Sequence, residues 1–157
     1  MRRKRNYKRE HKPDAKHGSV AVSRFVNYIM ESGKKSIAET IIYDALDIVA
    51  KETKENPLTV FEKALDNAAP IVEVVSQRVG GANYQVPREV RADRRFVLAA
   101  RWILEIARGK KGMKMSKKLA GEIIAAFKNE GEVIKKKQNT HRMAEANRAF
   151  AHFARRQ

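Results

Sequence analysis

A mainly α single domain of about six helices, with a two-stranded β-ribbon between the third and fourth, is the fold this sequence predicts. Two observations carry it. Apolar residues recur at three- and four-residue intervals in five segments, which is helical periodicity, and a sixth helix follows the break at Gly131. Between the third and fourth segments, two runs rich in Val and Tyr flank Gly80-Gly81, a dipeptide that permits the positive φ angles of a tight hairpin turn. A third observation concerns the partner. The net charge of +16 is segregated: nine Lys/Arg face two Asp/Glu up to Met30, five face nine from Glu31 to Glu73, and twenty face seven thereafter. A basic excess of that size on part of a chain points to a polyanion.

Taken in order, Met1 to His17 has no hydrophobic period and carries eight Lys/Arg. It reads as a basic arm (1–17) without fixed structure, ahead of a helical domain (18–157). The arm's cations Arg2, Arg3, Lys4, Arg5, Lys8 and Arg9 are candidate phosphate ligands, and Tyr7 a candidate base-stacking group. Ser19 is a fair N-cap for a first helix buried through Val22, Phe25, Val26 and Ile29. Gly33 ends it. Lys34 and Lys35 at the turn are phosphate ligands or a solvated turn.

Ser36 opens a second helix, with Ile37, Ile41, Ala45, Ile48 and Val49 as its stripe. Asn56-Pro57 is a cap with proline at the first helical position, and Val60, Phe61, Ala64, Leu65 and Ala68 form a third stripe. Both helices carry the acidic third of the chain, so this half reads as the packing side, turned away from the polyanion. Pro70 then ends the helix.

The ribbon occupies about 72–90. A two-residue turn pairs Val79 with Ala82, Gln77 with Tyr84, Val75 with Val86 and Glu73 with Arg88, the last an opposite-charge pair. The other face holds Val74, Ser76, Arg78, Asn83, Gln85 and Pro87, too polar for a core. Since a lone ribbon is marginal in water and Pro87 suits only an edge, it is expected to project from the body toward something polar.

Arg91, Arg94 and Arg95 lead into a fourth helix on Phe96, Val97, Ala100, Ile103, Leu104 and Ala107, with Trp102 at the core edge. The loop from Arg108 to Lys118 has two glycines and six cations: Arg108, Lys110, Lys111, Lys114, Lys117 and Lys118. Glycine lets backbone approach an anion that the lysines neutralise. A fifth helix uses Leu119, Ile123, Ile124 and Phe127. Gly131 breaks it, and a last helix runs from about Glu132.

No catalytic constellation stands out. His11, His17, His141 and His152 lack metal-ligand spacing, and the last two read as ordinary polar helix residues or phosphate donors. Gly80-Gly81 is not followed by the Gly-Lys-Ser/Thr of a phosphate-binding loop. The chain has no cysteine, so disulfides and thiolate metal sites are excluded. No apolar run reaches membrane-span length. The reading is a non-catalytic, cofactor-free binding protein; an RNA-modifying enzyme would need a catalytic group that is not found.

Four stretches together resemble one family, small ribosomal subunit protein seven in its bacterial form. They are S-Q-R-V-G-G-A-N-Y-Q-V-P-R-E-V-R-A-D-R-R (Ser76 to Arg95), K-P-D-A-K-H-G-S (Lys12 to Ser19), S-G-K-K-S (Ser32 to Ser36) and H-R-M-A-E-A-N-R-A-F-A-H-F (His141 to Phe153). The resemblance implies six helices and a protruding ribbon. It also implies primary binding to the 3′ major domain of small-subunit ribosomal RNA, where the family nucleates head assembly. Neighbours would be exit-site transfer RNA and small-subunit proteins nine and eleven, with no membrane and no stable homo-oligomer, on a cytoplasmic ribosome; an organellar one stays open. RNA-facing groups carried over are the arm, Lys34, Lys35, Arg78, Arg91, Arg94 and Arg95, joined by the Arg108–Lys118 loop. Near transfer RNA would lie the tip, Val79, Gly80, Gly81, Ala82, Asn83 and Tyr84, and the C-terminal helix around Arg142, Met143 and Arg148. Three departures stand out. Ala92 replaces a common proline, Gly112-Met113-Lys114 a commonly acidic position, and F-A-R-R-Q the usual short aromatic finish. The alternative is a helical DNA-binding or architectural protein, which is commonly a dimer with a symmetric apolar interface.

Overall fold

The computed structural model describes residues 11–156. Arg2, Arg3, Lys4, Arg5, Tyr7, Lys8 and Arg9 of the arm therefore lie outside the described residues. The order is α1 Val20–Ile29, α2 Lys35–Thr53, α3 Pro57–Ala68, β1 Val72–Val79, β2 Ala82–Glu89, α4 Ala92–Gly109, α5 Met115–Phe127, α6 Gly131–Ala146 and a 3-10 segment Arg148–Arg156. None of these helices is long and apolar enough to cross a membrane.

Local chemistry starts α1 and α3 where the sequence indicates, whereas α2 begins at Lys35 ahead of Ser36, α4 at Ala92 and α5 at Met115, which places Arg94, Arg95, Arg108, Lys117 and Lys118 on helices. Ser19 accepts from the Val22 amide. The Asn56 side chain accepts from the Leu58 amide, with Pro57 in the first turn; a proline there forfeits only an amide that has no helical partner. The body closes around α5, which packs against α2, α3, α4 and α6 through buried Leu119, Ala120, Ile123 and Ala126. Phe25 of α1 meets Phe61 of α3 edge to face, with centroids 5.2 Å apart.

The stripes of α1 and α3 are buried as expected; the others shift. On α2 the buried set is Ala38, Ile42, Ala45, Leu46 and Val49, while Ile37 is 55 % exposed. The segment S-I-A-E-T-I-I-Y-D-A-L-D-I-V has two overlapping apolar rows that share Ala45 and Val49, and packing against α5, α1 and α3 buries the one with Ala38, Ile42 and Leu46. On α4, Ala99 joins the core, whereas Phe96 and Val97 are only half buried. Phe96 sits under the Arg24 guanidinium, 4.2 Å from its ring centre. On α5, Ile124 and Phe127 are likewise half buried.

The ribbon has the expected register, from Val72 opposite Glu89 to Val79 opposite Ala82. Gly80 and Gly81 adopt φ of 58° and 92°, the left-handed region a two-residue hairpin turn needs. Its surroundings differ from the expectation of a ribbon projecting bare. The chain turns at Asn147 and runs back along β2, placing Phe150 and Phe153 on Tyr84 at centroid distances of 5.2 and 5.4 Å. The reason lies in the pleat: Val75, Val79, Tyr84 and Val86 share one face, and an apolar face is covered when chain is available to cover it. The C-terminal helix therefore stops before Arg148.

The other boundary moves as well. The arm read as 1–17 does not reach 17 as free chain, because residues 15–17 form a turn organised by the buried Asp14.

Candidate nucleic-acid interface

Two basic clusters distant in sequence meet at one end of the bundle. The end of α1, the Glu31–Lys34 turn, the start of α2, the end of α4 and the start of α5 surround an open cleft of about 360 Å³ lined by Ile29, Met30, Lys34, Ile37, Arg108 and Met115 among others. Arg108 holds the two loops together: its Nη2 donates to the Ile29 carbonyl at 3.2 Å and pairs with Glu31 at 2.9 Å. The N-caps of α2 and α5 are Lys34 and Lys114, and neither helix has a side-chain cap. Two helix N-termini thus present uncapped amides, and their dipoles add positive potential to that of the lysines.

The cations of this corner are not equivalent. Lys35 pairs with Glu39 at 3.6 Å. Lys110 is tied to the buried Glu122, and Lys118 donates to the Lys110 carbonyl. These contacts shape the loop. Lys34, Lys111, Lys114 and Lys117 are exposed, and among the described residues none of the four has an ion pair. They are the cations most free to neutralise phosphate.

The ribbon root is different. Glu73, 7 % exposed, receives Arg94 Nε at 2.8 Å on both oxygens and Arg88 Nη2 at 3.3 Å. The expected Glu73–Arg88 pair is present, but Arg94 is the closer partner. A buried carboxylate requires such partners, since an unpaired buried charge is strongly destabilising. The cleft here, about 710 Å³, is lined by Arg88, Arg91 and Arg94 but also by Glu73, Glu89 and Asp93. Three cations against three anions make it far less positive than the bundle end. Arg91 is the N-cap of α4 and exposed, while Arg95 is half buried.

At the far end of the ribbon, Arg78 pairs across to Asn83 and is exposed. Val79 and Tyr84 of the tip are half buried, while Gly80, Gly81, Ala82 and Asn83 are exposed. Arg142 and Met143 are exposed on α6, and Arg148 opens the 3-10 segment. The described site residues thus divide between the bundle end, the ribbon root and the tip with α6.

His141 has a role that neither a surface helix residue nor a phosphate donor would have. Its Nε2 accepts the Ile71 amide proton at 3.1 Å, so the ring is neutral and clamps α6 to the entrance of β1. Nearby, Lys137 donates to the Asn67 carbonyl at 2.8 Å. Burial, and then the charge of Lys137, lower the His141 pKa from its ordinary 6.5. A histidine whose folded pKa is depressed contributes stability in full above its unfolded value, and loses it as pH falls through the folded one. The Ile71 amide should therefore lose exchange protection between pH 7 and 5, relative to its intrinsic rate. Protection unchanged over that range would rule out the clamp. Helical spacing gives no signal for this contact, which joins residues seventy apart.

A family model described as ribosomal protein S7p/S5e matches residues 1–148. The small ribosomal subunit protein uS7 of Desulfatibacillum aliphaticivorans is 56 % identical over 152 residues, covering 97 % of each chain. That of Thermotoga maritima is 56 % identical over 153 residues, covering 98 % of this chain and 99 % of its own. That of Marinobacter nauticus is 55 % identical over 152 residues, covering 97 % of each.

Proposed function

The chain belongs to the ribosomal protein S7p/S5e family, and from that premise we propose that it binds the 3′ major domain of small-subunit ribosomal RNA and nucleates assembly of the subunit head. It is a structural, non-catalytic ribosomal component, at work on the ribosome of the cytoplasm. The observation that carries the RNA-binding reading is the bundle end, where Lys34, Lys111, Lys114 and Lys117 lie around two uncapped helix N-termini. The mechanism is electrostatic clamping: cations neutralise phosphates and release counterions, while the fixed corner selects the shape of the folded RNA. The arm residues Arg2 to Arg9 add charge, and Arg91 and Arg78 extend the contact along the ribbon. Arg94 serves mainly to hold Glu73. The tip, Val79 to Tyr84, with Arg142, Met143 and Arg148, faces exit-site transfer RNA, and small-subunit proteins nine and eleven are the protein neighbours. A DNA-binding protein of the alternative kind is commonly a dimer with a symmetric apolar interface, so oligomeric state and competition between structured RNA and duplex DNA separate the two readings.

A footprint of the purified protein on small-subunit ribosomal RNA, combined with a salt titration, tests this. Protection should fall in the 3′ major domain, and the log-log salt slope should be about −4 to −9, the value for roughly five to ten phosphates. A flat titration, or equal binding to duplex DNA, would refute it.

A further inference from the structure

Among the described residues, the chain ahead of α1 is fastened to the body at Asp14, which the structure ties to the middle of α2. Asp14 Oδ1 accepts the Tyr43 hydroxyl at 2.6 Å, while Oδ2 accepts the amides of Lys16 and His17, each at 3.1 Å. The Asp14 backbone is held too: its carbonyl accepts from Gly18 at 2.9 Å and its amide donates to Ser19 at 3.2 Å. Gly18 makes the turn at φ +63°. Around this knot, His17 lies edge-on to the Tyr43 ring at 5.7 Å. Lys16 reaches Asp47 at 3.4 Å and lies 5.2 Å from the centre of the Tyr43 ring. Asp14 is only 8 % exposed, so this is a built contact and not a surface encounter.

The latch stays closed across the neutral range. Burial pushes the Asp14 carboxyl up, but the Tyr43 hydroxyl, the His17 and Lys16 amides and the His17 charge together hold it below its ordinary 3.8. The Asp14 hydrogen bond first, and burial second, push the Tyr43 hydroxyl up to about 12. A depressed carboxylate stabilises above its unfolded pKa, and a raised phenol below its own. Both conditions hold between about pH 4 and 10.

We propose that Asp14 and Tyr43 are positioning residues for nucleic-acid binding: the latch sets the point and direction from which the basic arm leaves the body. The chain before Asp14 carries seven Lys/Arg against one Glu. Fully extended, it reaches about 45 Å. With the latch open, the first fixed point moves to Ser19, the N-cap of α1. The tether then lengthens and changes origin, and its charges are presented to the RNA at a lower effective concentration. This inference rests on the reading of the arm as an RNA contact, so the test separates the two.

RNA affinity and its salt slope are measured for four proteins: the full chain, Tyr43→Phe, the chain lacking residues 1–10, and that truncation with Tyr43→Phe. Phenylalanine keeps the ring and removes only the latch hydroxyl; circular dichroism checks folding, and Asp14→Asn serves as a second latch variant. In the full chain the substitution should weaken binding about five- to tenfold and shift the salt slope toward that of the truncation. In the truncated chain it should change binding less than about twofold. An equal loss in both backgrounds overturns the latch as a positioning device, because the residue then acts through the body. No loss in the full chain overturns it as well. If truncation alone leaves affinity unchanged, the arm is no RNA contact and both ideas fall, while the reading of the bundle end stands.

Discussion

Replacing Lys34, Lys111, Lys114 and Lys117 together by glutamine is expected to lower RNA affinity on the order of a hundredfold near 0.15 M salt, and to make the log-log salt slope shallower by about three. The four side chains are exposed; Lys34, Lys111 and Lys114 lie on the two loops at the bundle end and Lys117 in the first turn of α5. None contributes to the core, so far-ultraviolet circular dichroism and the unfolding midpoint should stay close to those of the parent. The informative contrast is Arg94→Gln. It changes a single charge that Glu73 already holds, so its salt slope should move by much less than one contact, while its cost falls on stability. Should the fourfold variant bind with unaltered slope, or should Arg94→Gln alone reproduce its loss, the phosphate contacts lie at the ribbon root and the assignment to the bundle end is wrong.

Phe61→Ala should be the most damaging single change to the fold, costing about 3–5 kcal/mol. The Phe61 side chain is fully buried on α3, edge-on to an equally buried Phe25. Truncation removes the transfer free energy of the ring, leaves a cavity between α1 and α3, and deletes the aromatic pair. A loss of that size is a large fraction of the roughly 5–15 kcal/mol that typically separates folded from unfolded domains, so the urea midpoint of the variant should fall well below that of the parent. The companion Phe127→Ala should cost clearly less, since that ring is half buried and lies beneath Lys63, whose Nζ is 4.9 Å from its centre. Equal costs for the two would mean that burial of the ring and its pairing with Phe25 do not set the loss.

Helix order, the caps of α1 and α3 and the ribbon register were legible because each depends on residues close in sequence. Ser19 and Asn56-Pro57 start helices through their own side chains and neighbouring amides, and Gly80-Gly81 defines the turn that sets every pair from Val79–Ala82 to Val72–Glu89. The segregation of charge, and with it a polyanionic partner, is likewise a property of composition. Stripe choice on α2 was not legible. Ile37 and Ile48 satisfy helical spacing as well as Ala38 and Leu46 do, and only the neighbouring helix distinguishes the rows.

What the sequence by itself determined, then, is the element order, the register of the ribbon and the list of cations. Tertiary structure decided what those cations do. It spends Arg94 on Glu73 and Lys110 on Glu122, brings Lys34 to the same cleft as Arg108, turns His141 into an acceptor for Ile71, and fastens the chain ahead of α1 at Tyr43. It also lays Phe150 and Phe153 over the ribbon face. The physical reason is the same in each case. A buried carboxylate, a buried amide or an exposed apolar face takes its partner from whatever packing brings within about 3 to 5 Å, and proximity between residues thirty or seventy positions apart is written in no local pattern.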